Sequence, residues 1–410
     1  MTFDRYGEEM TDPMGGMFGD IFQMLGQQGP DAWFQTASQL ALNVARGDDG
    51  DPNPLPAQRQ RLEELAPLIG RHVDALLSQV GDYSFTAVNR SELTMSALTE
   101  WRPLLEPLTQ RPPTLDLANL EGGAMMAQLA GVMGPLFLGF QLGSVAGHFS
   151  ERSWSLSALV VPRERTQHAL VVNNIVRFAD EWSLDRDVVF TFALAREFIA
   201  GTVLTQPGTG DALRALLLDT VKDAAAAQGD LMTKLQGMMN PENMNEIMAN
   251  PESLLSGISL PGETAATEKI NAATAALAAY FDAAALFVTQ SMHGPQAQLA
   301  EAWRRYRLTD ARGEDAAAAL FGVSLQGPHH EQAVSFVATL QIQHGLGVFD
   351  AFLRSDGLPT PAELSAPEQW VQRVTTSPLA YASSSYPRFH STIKFSRSAS
   401  RFTRSRLRRN

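Results

Sequence analysis

In the stretch "LPAQRQRLEELAPLIGRHVDALLSQV" (55–80), the apolar residues Leu62, Leu65, Leu68, Ile69, Val73, Leu76 and Leu77 recur every three or four positions. That is the period of a helix with one face turned to a core. A second helix is expected to be capped by Ser183 or Asp185 and to run to about Leu204, with "PGTG" (207–210) closing the connection and opening the next element. A long alanine-rich helix is expected from about Glu263 to Met292, and another from about Glu331 to Leu353. Strand patterns are scarce. The best are "SALVVP" (157–162) and "HALVVN" (168–173), which predict one hairpin around "RERTQ". The expected fold class is mainly α, with at most a small β-hairpin.

Other stretches lose this periodicity. Residues 1–30, rich in Met and Gly, are expected to form a flexible arm. "DDGDPNPLP" (48–56) reads as a linker. Residues 230–262 hold two Asn-Pro-Glu triplets, Asn240-Pro241-Glu242 and Asn250-Pro251-Glu252, each able to start a short helix with proline at its first position. Met232, Met238, Met239, Met244 and Met248 in that segment supply adaptable apolar surface, expected to act as a lid. The organisation expected is an arm (1–30), an N-terminal helical region (31–155), a second helical domain (156–376) and a basic tail (377–410).

Residues 122–150 carry no formal charge, and Gly139, Gly143 and Gly147 form a double GxxxG. That pattern suits close helix packing in lipid. The stretch also contains seven glycines, two glutamines, a histidine and Pro135, and it lacks the flanks of a membrane span. A buried helix pair broken at Gly134-Pro135 is expected, with no integral membrane span.

Charge changes the picture at one end. The 410 residues have a formal net charge of −12, yet the last part of the chain is basic. Arg388, Lys394, Arg397, Arg401, Arg404, Arg406, Arg408 and Arg409 have no acidic neighbour from position 388 onward. Interleaved with Phe389, Phe395 and Phe402, they offer a surface for an anionic partner such as nucleic acid or acidic lipid. There is no cysteine, which removes disulfides, thiolate metal sites and cysteine nucleophiles. With three acidic groups in "MTFDRYGEEM" and no apolar run there, no secretory leader is expected, and the chain is expected to be cytoplasmic. No Walker loop, GxSxG elbow or GxGxxG fingerprint is present.

Candidate chemistry centres on "FALAREFIAGTVL" (192–204), an apolar helical run interrupted by Arg196-Glu197. A zinc hydrolase of the HExxH type needs two histidines at i and i+4 on one helix face, with the intervening glutamate acting on a metal-bound water. Here the corresponding positions are Arg196, Glu197 and Ala200. A guanidinium has no lone pair to give a cation, and a methyl group offers none. His329, His330 and His344 form the only histidine cluster, but His330 and His344 would lie about 21 Å apart along a helix and cannot share one ion.

The order of "MGGMFGDIFQMLGQ", "GPLFLGFQLGSVAG", "VVNNIVRFADEWSLDRDVVFTFALAREF", "NPESLLSGI", "AALAAYFDAAALFV", "FGVSL" and "GLPTPAELSAPEQWV" resembles a zincin-like family whose members are described as hydrolases, zinc-dependent metalloproteases or deazaflavin-coenzyme-biosynthesis proteins. The resemblance covers most of the chain up to about Val374 and implies that 156–376 is a zincin-like helical domain. It implies zinc as cofactor, held by histidine at the position of Ala200 and glutamate at that of Ala278, with the R-E variant of the motif at Arg196-Glu197. Tyr280 and Asp282 match the family's aromatic and aspartate positions. With Ala200 and Ala278 in place of ligands, no complete ligand set is expected, hence no bound metal. The expected function is a hydrolase scaffold that has lost zinc-dependent peptide hydrolysis and binds a protein or peptide partner. The alternatives are residual hydrolysis through Glu197, with Asp282 as a second carboxylate, and anion binding through the tail. A half-buried Glu197 also has a purely structural reading, as the partner of an arginine.

Overall fold

The computed structural model describes residues 32–47, 50–109, 139–165, 167–220, 264–309, 312–324 and 328–377. The arm at 1–30, the Asn-Pro-Glu and methionine-rich segment, Gly134-Pro135 and the tail beyond Ser377 lie outside them.

The fold is mainly α. At its centre is the alanine-rich helix Ala265–His293, packed between the helix Arg186–Leu204 and the helix Pro328–His344. Small side chains at Ala272, Ala273, Ala276, Ala284 and Ala285 are fully or almost fully buried, which lets the neighbouring helices approach closely. Its start is fixed by reciprocal caps: Thr264 Oγ1 accepts from the Thr267 amide and Thr267 Oγ1 from the Thr264 amide. Among the described residues this is the one unbent helix long and apolar enough to cross a membrane, and 78% of its most apolar window is buried inside the protein.

Helix Arg186–Leu204 begins at Asp185, whose Oδ1 accepts from the amides of Asp187 and Val188. From Val189 to Leu204 every residue is buried. The following helix, Pro207–Thr220, turns away by 78°. In Pro56–Leu77 the inward stripe is Leu62, Leu65, Ile69, Val73 and Leu77, whereas Leu68, expected on that stripe, is 42% exposed. Position 68 falls toward the edge of the face, where one helical step already reaches solvent.

Two expectations are corrected. The segments around "RERTQ" do not form a hairpin. Strand β2 (His168–Val171) pairs in parallel with β1 (Phe85–Val88), Phe85 opposite His168 and Val88 opposite Val171. A parallel pair requires a long crossover, here several helices, so its partner cannot be found next to it in sequence. Residues 156–158 form a 3-10 turn and 159–163 an extended run with no ladder. Likewise the helix expected to reach Leu353 ends at His344. Gly345 adopts φ 75°, and a 3-10 segment, Leu346–Leu353, follows.

The GxxxG glycines lie on a helix at 139–150 that packs on Ala32–Arg46. A Cβ at Gly139 would stand 2.5 Å from the Trp33 carbonyl oxygen, and one at Gly143 2.5 Å from that of Ala37. The small residues thus serve backbone-to-backbone contact inside the protein. The linker is held too: Asp51 accepts from the amides of Arg90 and Ser91 at the start of helix Arg90–Thr109. One continuous apolar core runs from Trp33 to Val374.

Candidate functional site

Glu197 sits in the buried middle of Arg186–Leu204, with no exposed side-chain surface. Its Oε1 accepts from Arg163 Nη1 at 2.7 Å, and its Oε2 from the Ser157 amide at 3.3 Å. His168 Nδ1 stands 3.5 Å from Oε1, while His168 Nε2 donates to the Asp82 carbonyl at 3.1 Å. Local structure places each partner. The Arg163 amide donates to the carbonyl of Leu204, so the extended run is tied to the end of the Glu197 helix. His168 opens β2 and packs over Gly201, where a Cβ would come within 2.3 Å of the imidazole. Burial alone would raise the Glu197 pKa. The charge of Arg163, with His168 beside it, overcomes that and holds the carboxyl well below its usual range.

Arg196, the next residue, serves a different network. Its Nε donates to Asp282 Oδ1 at 2.7 Å, and its Nη1 to the Ser157 carbonyl at 3.0 Å and hydroxyl at 2.6 Å. Arg307 Nη1 donates to Asp282 Oδ2 at 2.6 Å. Asp282 is thus clamped by two guanidinium groups; burial would raise its pKa, but Arg307 and Arg196 keep it low. Burial pulls the Arg196 pKa down and Asp282 opposes the pull; a guanidinium keeps its proton in such company. Asp282, expected as a second carboxylate beside Glu197, is instead shared between Arg196 and Arg307. Ser157 joins the two networks, through its amide to Glu197 and its oxygens to Arg196.

These side chains do not fit zinc. Arg196 occupies the first expected ligand position, donates through Nε and Nη1, and has no lone pair for a cation. Ala200 and Ala278 are buried among apolar groups, at 0% and 4% exposure. The lone pairs of Glu197 and Asp282 already face arginines, and two carboxylates fall short of the donor set that zinc takes. Among the described residues no three His, Asp or Glu side chains converge. Tyr280 is buried with its ring against Phe349 and Phe352. His344 contacts Glu368 at 3.3 Å, and His330 has its pKa lowered by burial and by the Arg307 charge.

The residue pattern did not single out Arg163, His168, Ser157, Arg152, Trp303 or Arg307. A signal existed for part of this group. In "AWRRYRL" (302–308), Trp303, Tyr306 and Arg307 follow i, i+3, i+4 spacing and share one helix face. They border a cavity of about 40 Å³ lined by Arg152, Trp154, Arg196, Trp303, Arg307 and Glu314 among others. By the volume one water needs, that is room for about three water-sized groups. Arg196 lies over the Trp303 ring at 5.4 Å and Arg152 over the Tyr306 ring at 3.9 Å.

A crystal structure from Chloroflexus aurantiacus, described as that of a candidate hydrolase with a novel fold, shares this architecture. The TM-score is 0.57 at 15% sequence identity, over 84% of this chain and 98% of that one. At that identity the likeness shows the fold alone. No curated protein matches the sequence. The profile of the zincin-like metallopeptidases matches residues 33–371, most of the chain, and the protein therefore belongs to the zincin-like metallopeptidase family.

Proposed function

We propose that this chain is a zincin-like scaffold without zinc-dependent peptide hydrolysis, acting in the cytoplasm by binding. One observation carries the reading: the motif positions are occupied by neutralised ion pairs, Arg196 with Asp282 and Glu197 with Arg163, where a metal and its water would need free donors. A general base works best with a pKa near the operating pH. Glu197, held far below it and completely buried, is a poor proton acceptor. This argues against residual hydrolysis through Glu197 or Asp282.

Metal analysis of protein purified without an affinity tag, with peptidase assays of wild type and Glu197→Gln, tests the proposal. Far less than one zinc per chain is expected, with no peptidase activity that the substitution removes. Stoichiometric zinc, or activity abolished in a Glu197→Gln protein that still unfolds cooperatively, would overturn it. The basic run from Arg388 to Arg409 favours an additional anionic partner. Removing 380–410 should then abolish binding to nucleic acid or acidic vesicles that weakens steeply with salt.

A further inference from the structure

The residues lining the cavity beside Arg196 carry polar atoms that the fold leaves unused. Trp154 Nε1, Trp303 Nε1 and Glu314 Oε2 are buried and have no hydrogen-bond partner among the described residues. Trp154 and Glu314 are only 5% and 8% exposed. Buried donors are rarely left idle, because each unsatisfied group carries its full desolvation cost. Two of these atoms are indole N–H donors on residues that line one cavity, and they call for a group that accepts hydrogen bonds; Glu314 Oε2 is itself an acceptor and adds nothing to that demand. Arg307 adds capacity: among the described residues it donates only to Asp282, through Nη1.

The charge around the cavity narrows the class. Arg152, Arg196 and Arg307 face two carboxylates, Glu314 and Asp282. One positive charge is in excess. A monoanion balances it, whereas a dianionic phosphate would overshoot. A carboxylate has two oxygens and about four lone-pair directions, enough for two indole N–H groups and an arginine. It also fits the small volume. The rings of Trp303 and Tyr306, stacked at 5.7 Å, and of Trp154, 4.6 Å from Trp303, give the rest of such a molecule a flat apolar wall.

We propose that this cavity binds the carboxylate of an organic acid, free or at the C-terminus of a peptide, with its apolar body against Trp303 and Tyr306. The inference rests on reading the chain as a binding protein and names the chemistry it would bind.

Calorimetric titration of the full chain tests it, with benzoate and N-acetylphenylalanine as probes and benzamide, N-acetylphenylalanine amide and inorganic phosphate as controls. At least one acid should saturate a single site. Its amide and phosphate should bind about tenfold more weakly or worse, the scale of a lost charge-assisted bond. Tighter benzoate points to a free acid, and tighter N-acetylphenylalanine to a peptide terminus. Trp303→Phe keeps a ring and deletes an idle N–H, so it should leave thermal unfolding intact while weakening the acid; Arg307→Met should weaken it further. Failure of both acids to saturate, equal binding of acid and amide, or unchanged affinity in both variants would overturn the proposal. Zinc measured in the same samples reports separately on the metal-free reading. No zinc and no binding sinks only this inference. Stoichiometric zinc with binding that survives a chelator sinks only the metal-free reading, and binding abolished by the chelator sinks both.

Discussion

Helix Arg186–Leu204 carries two carboxylates in ion pairs of nearly equal length. Near its start, Asp187 Oδ2 stands 2.6 Å from Arg61 Nη2, with the side chains 40% and 42% exposed. In its middle, Glu197 Oε1 stands 2.7 Å from Arg163 Nη1, with 0% and 2% exposed. The distance is shared and the consequences are not. Water solvates both members of the first pair whether or not they meet. The second pair has been stripped of water, and each charge stays tolerable only because the other is there. A buried acid in a motif position is therefore no evidence of catalysis until its lone pairs are accounted for. For Glu197 each oxygen already accepts from a neighbour, Oε1 from Arg163 and Oε2 from the Ser157 amide.

The contrast is tested most strongly by Arg163→Met. Breaking a buried pair from one side costs about 3–5 kcal/mol, so denaturant unfolding should show a loss of that order. The double variant Glu197→Met/Arg163→Met should recover most of it, because replacing both charges by apolar groups is close to neutral. A loss below about 1 kcal/mol, the range of exposed pairs, would mean that Glu197 is hydrated after all. The pH dependence carries a sign as well. In the wild type the Glu197 pKa is depressed, so its contribution is present above the ordinary glutamate value of 4.5 and is lost as pH falls through the folded value. In Arg163→Met the main depressing charge is gone and burial pushes the pKa up. The stability gap between the two proteins should therefore narrow on acidification from pH 7 to pH 4; a constant gap would contradict the assignment.

Gly201→Ala tests the other wall of the same cluster. A Cβ there would meet His168 Cε1 at 2.3 Å and Nδ1 at 2.7 Å. Overpacking a filled core costs about 1–3 kcal/mol, and the thermal midpoint should drop accordingly. An unchanged midpoint would show that His168 can leave Glu197 freely.

Helix Arg186–Leu204 was legible in sequence because local spacing and capping chemistry are enough to define it, although the cap was narrowed only to Ser183 or Asp185, of which Asp185 is used. An arginine partner for Glu197 was one of the readings the sequence left open. Which arginine was not legible. Arg196 is adjacent in sequence, yet successive residues diverge by about 100° around a helix, and its side chain goes to Asp282. The true partner, Arg163, comes from an extended segment whose position depends on the Leu204 carbonyl, a contact no periodicity reports. The same non-locality hid the parallel pairing of β1 with β2 and the convergence of Arg152, Arg196 and Arg307. Composition located the acid; only the tertiary arrangement showed that it was already neutralised.

The smallest effect expected is also the control for the whole comparison. Arg61→Met removes the guanidinium that grips Asp187 through both Nε and Nη2. By distance alone this should hurt as much as Arg163→Met. Asp187, however, lies in the first turn of its helix, where the positive end of the backbone dipole favours a negative charge without help. It also regains water on losing its partner. Its carboxyl, held low chiefly by the Arg61 hydrogen bonds, should move up toward the ordinary aspartate value. Unfolding should change by only a small fraction of the Arg163→Met loss, and the remaining difference should fade with added salt, since exposed charges are screened. A loss matching that of Arg163→Met, insensitive to salt, would mean that contact distance rather than dehydration sets the strength of both pairs.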